Sequence, residues 1–141
     1  MERLAIAVGL ALVALAVAAV LQRRQRPAAP LRTGYALPAQ VDRADFARPE
    51  AAWLVAVFTS ATCSTCAGVW ERAQPLESGS VAVQELEHGR DRDLHDRYRI
   101  EAVPCLVVAD AAGTVRASFL GEPTRAELVD AMAEVRTGRT R

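Results

Sequence analysis

The spacing of apolar and polar residues changes several times along the chain, and each spacing predicts a different element. The unbroken apolar run 53–59 is typical of a strand buried on both faces, and residues 81–87 form a second strand with mixed alternation. Between them, residues 67–74 have helical character, and Pro75 and Gly79 end that helix. This order predicts a β-α-β unit whose two strands run parallel.

The C-terminal half of the chain predicts two further strands and a closing helix. Residues 103–109 and 114–120 flank a turn-forming Asp-Ala-Ala-Gly run, which is the pattern of a β-hairpin. A capping box that begins at Thr124 starts an amphipathic terminal helix. Shorter helices are expected at residues 42–49 and 91–98. The pattern therefore predicts an α/β fold in which helices flank a central mixed sheet.

A longer apolar stretch precedes these elements. Residues 4–21 consist of Leu, Ala, Val and Ile with one Gly, and as a helix they would extend about 27 Å, close to the roughly 30 Å of a bilayer core. A cleaved signal peptide is the alternative, because residues 16–18 resemble a cleavage site. The arginines that directly follow the run favour a retained transmembrane helix. We expect the rest of the chain to form a short flank, a juxtamembrane linker, a folded domain and a tail, at residues 1–3, 22–39, 40–136 and 137–141.

The charges on the two sides of the apolar stretch predict its orientation. One arginine precedes it, whereas four follow it closely, at positions 23, 24, 26 and 32. Because basic residues tend to stay on the cytoplasmic side, the C-terminal domain is expected in the cytoplasm, with the extracytoplasmic side as the alternative. The side matters because a reducing cytoplasm keeps a cysteine pair as a dithiol, whereas outside the pair could oxidise or isomerise partners.

The composition narrows the chemistry. The 17 basic and 17 acidic side chains cancel, and nothing in the sequence indicates a nucleic-acid partner. Every basic residue is arginine, which excludes Schiff-base or general-base chemistry by lysine. Three cysteines are too few for a disulfide scaffold, and a CxxC pair with one more cysteine suits redox or metal chemistry.

The CxxC pair, Cys63-Ser64-Thr65-Cys66, lies between the first strand and the helix that follows it. A thiol at the first turn of a helix lies near free backbone N–H groups and the positive end of the helix dipole, which stabilise a thiolate. Cys63 is therefore the expected nucleophile. Cys66 follows one turn deeper on the same helix face and is the expected resolving thiol.

The chain resembles the thioredoxin family over roughly residues 40–136. The resemblance rests on the Phe-Thr-Ser run at 58–60 that leads into the CxxC pair, on the Tyr-Arg-Ile-Glu-Ala-Val-Pro run at 98–104, and on Gly121 before the last helix. It implies a thioredoxin-like fold and exchange of disulfides with protein substrates, without a cofactor. In the mechanism it implies, Cys63 attacks a substrate disulfide and Cys66 displaces the reduced product, which leaves a Cys63–Cys66 disulfide.

The resemblance also assigns a role to the pair Val103-Pro104. It implies a cis peptide bond before Pro104 and a Val103 backbone that pairs with an extended substrate. The chain departs from the family at other positions. Thr62 replaces a tryptophan, and the buried acid and its lysine partner of the family are expected at the apolar Val57 and Val83. These departures predict slower exchange, or a different redox potential, than in an ordinary thioredoxin.

Cys105 stands where the family commonly has threonine, and two interpretations stay open: a small buried strand residue or a third redox thiol. Two other functions also stay open. Cys63, Cys66 and Cys105 could bind a metal together with His88 or His95, both expected in exposed segments, although the usual zinc spacing is missing. The domain could instead be a non-catalytic binding module. The favoured expectation is a monomeric, membrane-tethered thiol-disulfide oxidoreductase that exchanges with protein disulfides and an unidentified redox partner.

Overall fold

The computed structural model describes residues 13–15, 17 and 35–138. The chain divides into two compact units, Met1–Leu31 and Arg32–Arg141. In the first unit the structure describes residues 13–15 and 17, which are helical and have exposed side chains. The expected transmembrane helix at residues 4–21 lies largely outside the described residues and stays a prediction. Among the residues that are described, no helix is both long and apolar enough to span a bilayer.

The second unit is built on a four-stranded mixed sheet. Its strands are β1 (Trp53–Thr59), β2 (Val81–Glu87), β3 (Cys105–Asp110) and β4 (Val115–Leu120). Their order across the sheet is β2-β1-β3-β4, with β1 parallel to β2 and with β3 antiparallel to both β1 and β4. The predicted β-α-β unit and β-hairpin are confirmed.

Helices flank this sheet, and their bounds are α1 (Cys66–Ala73), α2 (Arg92–Arg97) and α3 (Arg125–Arg136). α3 begins at the predicted capping box, where Thr124 Oγ1 accepts from the Glu127 N–H and the Glu127 carboxylate accepts from the Thr124 N–H. The helix expected at residues 42–49 is wrong, because a single 3-10 turn forms at Arg43–Asp45. A proline disfavours the helical conformation in the residue before it. Arg48 precedes Pro49 and has a φ of 53°, outside the range of a right-handed helix.

The side chains of the central strands alternate between two apolar clusters, one on each face of the sheet. Val55 and Val57 of β1 contribute to the cluster that α1 and α3 cover, and we call this side the α1 face. Leu54 and Phe58 contribute to the opposite face, where Tyr98 packs. Burial on the α1 face holds α1, and with it the CxxC pair at its start, against β1.

Residues 35–41, here called the N-terminal strap, pack on the opposite face through Leu37. At the far end of the strap, the Val41 N–H donates to the Gly113 carbonyl at 2.8 Å. Gly113 has a φ of 80°, and a Cβ at this position would overlap the Val41 carbonyl oxygen, so only glycine fits. The contacts of the folded domain therefore begin ahead of residue 40, within the segment expected to be a linker.

Candidate active site

The structure places the two cysteines of the CxxC pair side by side at the start of α1. They form a disulfide, with the Cα atoms of Cys63 and Cys66 5.5 Å apart. Cys66 is the first residue of α1 and is 2% exposed, whereas Cys63 in the preceding turn is half-buried. Cys63 is therefore the more accessible of the two cysteines.

The hydroxyl of Thr65 lies beside the sulfur of Cys63. Thr65 Oγ1 and Cys63 Sγ are 3.7 Å apart, which is within hydrogen-bonding range for sulfur. Thr65 is the N-cap residue of α1, but its side chain makes no capping bond to the helix. In the reduced protein this hydroxyl can donate to a Cys63 thiolate, in addition to the effect of the helix N-terminus.

The loop that leads from β1 to the CxxC pair is held by a carboxylate at the end of β2. Glu87 accepts hydrogen bonds from the N–H groups of Gly89 at 2.8 Å, Ala61 at 3.0 Å and Arg90 at 3.1 Å. These bonds hold the pKa of Glu87 below its ordinary value, so the side chain is ionised at neutral pH. No local signal in the sequence predicts this contact, because 26 residues separate Ala61 from Glu87.

A polar pair lies at the end of β1, close to the position where the family has its buried acid. The strand register pairs Val57 with Glu85. Val83, the position expected for the lysine partner of the family, pairs with Val55. Glu85 is half-buried and accepts a hydrogen bond at 2.9 Å from the hydroxyl of Thr59, which is 1% exposed. Because side chains alternate along strands, Thr59 and Glu85 share the α1 face with Val57. The α1 face is therefore not purely apolar at the end where the CxxC pair lies.

The peptide bond between Val103 and Pro104 is cis, as the resemblance implies. The register pairs Phe58 with Cys105, so Pro104 lies at the end of β1 from which the chain continues to the CxxC pair. A backbone N–H from Gly121 donates to the Pro104 carbonyl at 2.9 Å. Within the described residues, the backbone N–H and C=O of the half-buried Val103 make no hydrogen bond.

Cys105 lies in the core on the opposite face from α1 and has no exposed surface. Burial raises the pKa of its thiol to about 12, so the thiol is protonated at neutral pH. A protonated and inaccessible thiol is a poor nucleophile. These properties favour the packing interpretation of Cys105 over a third redox thiol.

The two histidines have different environments. His88 is exposed, as expected, but the expected exposure of His95 is wrong, because His95 is 2% exposed. Its Nε2 lies 2.9 Å from the Leu86 carbonyl oxygen, and its ring meets the rings of Phe58 and His88 edge-on at 5.1 Å. Among residues 35–138, no group of three or more His, Cys, Asp or Glu side chains is arranged to hold a metal ion. The metal-binding alternative thus has no ligand set in the described domain.

Comparison with known proteins shows a likeness to solved structures. No family model matches the chain, and no curated protein matches it. The germline-specific thioredoxin Deadhead of Drosophila melanogaster is 21% identical with a TM-score of 0.54, over 62% of this chain and 84% of that one. Chloroplastic thioredoxin z is 20% identical with a TM-score of 0.55, over 62% of this chain and 80% of that one. A point mutant of the thioredoxin from Halobacterium salinarum is 20% identical with a TM-score of 0.54, over 77% and 97%.

At these identities the likeness is one of fold. The described domain has the thioredoxin fold, which confirms the fold that the sequence resemblance implies. It carries a disulfide-bonded cysteine pair at the start of α1. Fold and site together define the class as a thioredoxin-like domain with a redox-capable cysteine pair.

Proposed function

We propose that the protein is a thiol-disulfide oxidoreductase that acts on protein disulfides and is tethered to the membrane by residues 4–21. The observation that carries this proposal is the Cys63–Cys66 disulfide at the start of α1 in a thioredoxin fold. The position of Pro104, at the same end of the sheet, supports it.

The reaction starts from the reduced protein with Cys63 as the nucleophile, because Cys63 is the more exposed cysteine and has the Thr65 hydroxyl beside it. Its thiolate attacks one sulfur of a substrate disulfide, a mixed disulfide forms, and the other substrate sulfur leaves as a thiolate that takes up a proton. Cys66 then loses its proton and attacks Cys63 Sγ, which releases the second substrate thiol. Two electrons and two protons pass to the substrate, and the protein keeps the Cys63–Cys66 disulfide.

The membrane location is part of the proposal and rests on the sequence. The apolar run 4–21 has the length of a single span, and the arginines that follow it favour a C-terminal domain in the cytoplasm, with the extracytoplasmic side as the alternative. In the cytoplasm the protein would act as a reductase and would need a partner that returns two electrons to its disulfide. A reporter fused to the C-terminus that is active only in the cytoplasm tests this orientation.

The activity itself is tested by reduction of insulin with the full-length protein in detergent, with dithiothreitol as the electron source. We expect turnover that Cys63→Ser abolishes, because no nucleophile remains. Cys66→Ser should accumulate mixed disulfides, which also identifies the natural substrates. Cys105→Ala is the matched control, because it removes the third cysteine and should retain turnover.

Two results would contradict this proposal. Wild-type turnover no faster than dithiothreitol alone would indicate a non-catalytic binding module. Turnover that survives Cys63→Ser would place the chemistry elsewhere. Loss of turnover in Cys105→Ala with an intact fold would instead support the interpretation of Cys105 as a third redox thiol.

A further inference from the structure

The hydroxyl of Tyr35 reaches the loop that precedes the cis peptide bond. Tyr35 belongs to the N-terminal strap, and its hydroxyl oxygen accepts a hydrogen bond from the Glu101 N–H at 3.1 Å, across 66 residues of sequence. Burial raises the pKa of Tyr35, while the backbone N–H groups of Glu101 and Ala102 act in the opposite direction. The hydroxyl is therefore neutral at physiological pH and lies against the backbone of both residues.

The loop before Pro104 has no regular structure, and its backbone is fixed at three points. At its start the Ile100 N–H donates to a carbonyl of α2 at 2.8 Å, and at its end the Pro104 carbonyl accepts from the turn after β4 at 2.9 Å. Between these ties, within the described residues, the bond from Glu101 to Tyr35 is the hydrogen bond that holds the loop backbone. It lies two residues ahead of Val103, whose backbone N–H and C=O make no hydrogen bond within the described residues.

We propose that Tyr35 positions the loop before Pro104 and so sets how tightly an extended segment of a protein substrate binds beside the CxxC pair. This inference rests on the proposed function, because the Val103 backbone is the part that would pair with such a substrate. A loop already held in one conformation loses less entropy on pairing, so it binds more tightly. A small disulfide has no backbone to pair and does not depend on Tyr35. Tyr35 is a positioning residue, since it acts through the loop.

The chain offers a matched control, because it contains two tyrosines. The hydroxyl of Tyr98 accepts from the Asp42 N–H at 3.0 Å and donates to the Asp45 carboxylate. Burial raises the pKa of Tyr98 as well. Tyr35→Phe and Tyr98→Phe each keep the ring and delete a hydroxyl that a backbone N–H uses, but Tyr35 alone of the two binds the loop before Pro104.

The experiment compares the two variants with the wild type as full-length protein in detergent. We expect Tyr35→Phe to raise the KM for insulin about fivefold, which corresponds to about 1 kcal/mol, with kcat unchanged. Its rate with hydroxyethyl disulfide, a small substrate, should equal that of the wild type. Hydrogen exchange at the Glu101 amide should accelerate by a similar factor. Tyr98→Phe should leave the KM and the Glu101 exchange rate unchanged.

The possible failures are distinguishable. An active wild type with the same insulin KM in Tyr35→Phe overturns this inference alone. An equal rise of KM in Tyr98→Phe also overturns it, because the effect would then be a general loosening of the domain. A wild type that reduces neither insulin nor hydroxyethyl disulfide contradicts the proposed function, and the role of Tyr35 falls with it.

Discussion

The hydroxyl of Thr65 lies 3.7 Å from Cys63 Sγ, and at that distance one side chain influences the reactivity of the sulfur. A thiolate accepts hydrogen bonds more strongly than a thiol, so the hydroxyl favours the ionised sulfur. We expect Thr65→Val to slow alkylation of Cys63 at neutral pH by about threefold to tenfold, measured with iodoacetamide on the reduced protein. Thr65→Ser keeps the hydroxyl and should react at the wild-type rate.

Thr62→Val is the matched control for this experiment. The Thr62 hydroxyl contacts the Ser60 hydroxyl at 3.1 Å rather than a sulfur, so its loss should not change alkylation of Cys63. Equal rates in the wild type and Thr65→Val would rule out the hydroxyl as a thiolate donor. Equal slowing in Thr62→Val would assign the effect to the shape of the turn.

Residues in short patterns could be predicted, whereas residues that act through long-range contacts could not. The CxxC pair and Pro104 belong to local runs whose spacing is visible in the sequence. Glu87 and Tyr35 act on backbone that lies 26 and 66 residues away, so only the folded chain shows their roles. Sequence alone does not show Glu85 at this place, because the register of β1 and β2 decides which residue lies beside Val57.

At the scale of elements, strong apolar periodicity predicts the strands and α3, because burial decides their conformation. The segment 42–49 lacks such a pattern and is shaped by tertiary contacts. The guanidinium of Arg48 donates to the carbonyls of Ser78 and Gly79 at 2.9 Å and of Val81 at 3.2 Å, at the edge of the sheet. These bonds compete with helix formation, and nothing local in the sequence indicates them.

The hydrogen bonds of Glu87, at the end of β2, one of them to the loop before the CxxC pair, predict that the stability of the fold falls at acid pH. Because the pKa of Glu87 is lowered in the folded protein, its contribution to stability is present above its ordinary pKa of 4.5 and is lost as the pH falls through the lower folded value. We expect Glu87→Gln to remove part of this acid dependence, measured by urea unfolding. The Ala61 amide should also exchange faster. It donates to one carboxylate oxygen, whereas Gly89 and Arg90 donate to the other, and the single oxygen of glutamine keeps more bonds on the side of Gly89 and Arg90.

Glu127→Gln provides the control at another element. The pKa of Glu127 is also lowered, by hydrogen bonds from Thr124 in the capping box of α3. In this variant the stability should also depend less on acid pH, but the exchange rate of the Ala61 amide should stay unchanged. If Glu87→Gln also leaves the Ala61 exchange rate unchanged, the carboxylate does not hold the loop.

For the whole molecule, the buried Cys105 predicts a loss of stability in alkali. Its pKa is about 12 in the folded protein against an ordinary 9.0, so its contribution is fully present below pH 9.0 and is lost as the pH rises towards 12. Between pH 8 and pH 10 this loss amounts to about 1.4 kcal/mol in the free energy of unfolding. Urea unfolding of the oxidised protein at both pH values measures it.

Cys105→Ala is the comparison for this prediction. Burial also raises the pKa values of Tyr35 and Tyr98, so both proteins share the alkaline dependence of the tyrosines. The difference between the wild type and Cys105→Ala isolates the thiol. An identical fall in stability between the two pH values in both proteins would show that the thiol ionises freely in the folded state.

The overall fold was predictable because the β-α-β unit and the hairpin allow few arrangements of one mixed sheet. The strap on the opposite face was not, because residues 35–41 carry no periodic pattern. Leu37 and the backbone bond from Val41 to Gly113 hold it there. A boundary at residue 40 is an expectation from composition, and composition does not show such contacts.

The disulfide of the CxxC pair joins residues only three positions apart. When a cross-link acts by limiting the unfolded chain, its stabilisation grows with the length of the loop it closes, and a loop this short contributes about 2 kcal/mol, against about 4.7 for a 100-residue loop. Most of the conformational freedom of the unfolded chain is therefore the same whether Cys63 and Cys66 are bonded or not. Opening and closing this bond therefore changes the stability of the fold less than a long-range disulfide would, which suits the proposed alternation between two redox states over many cycles.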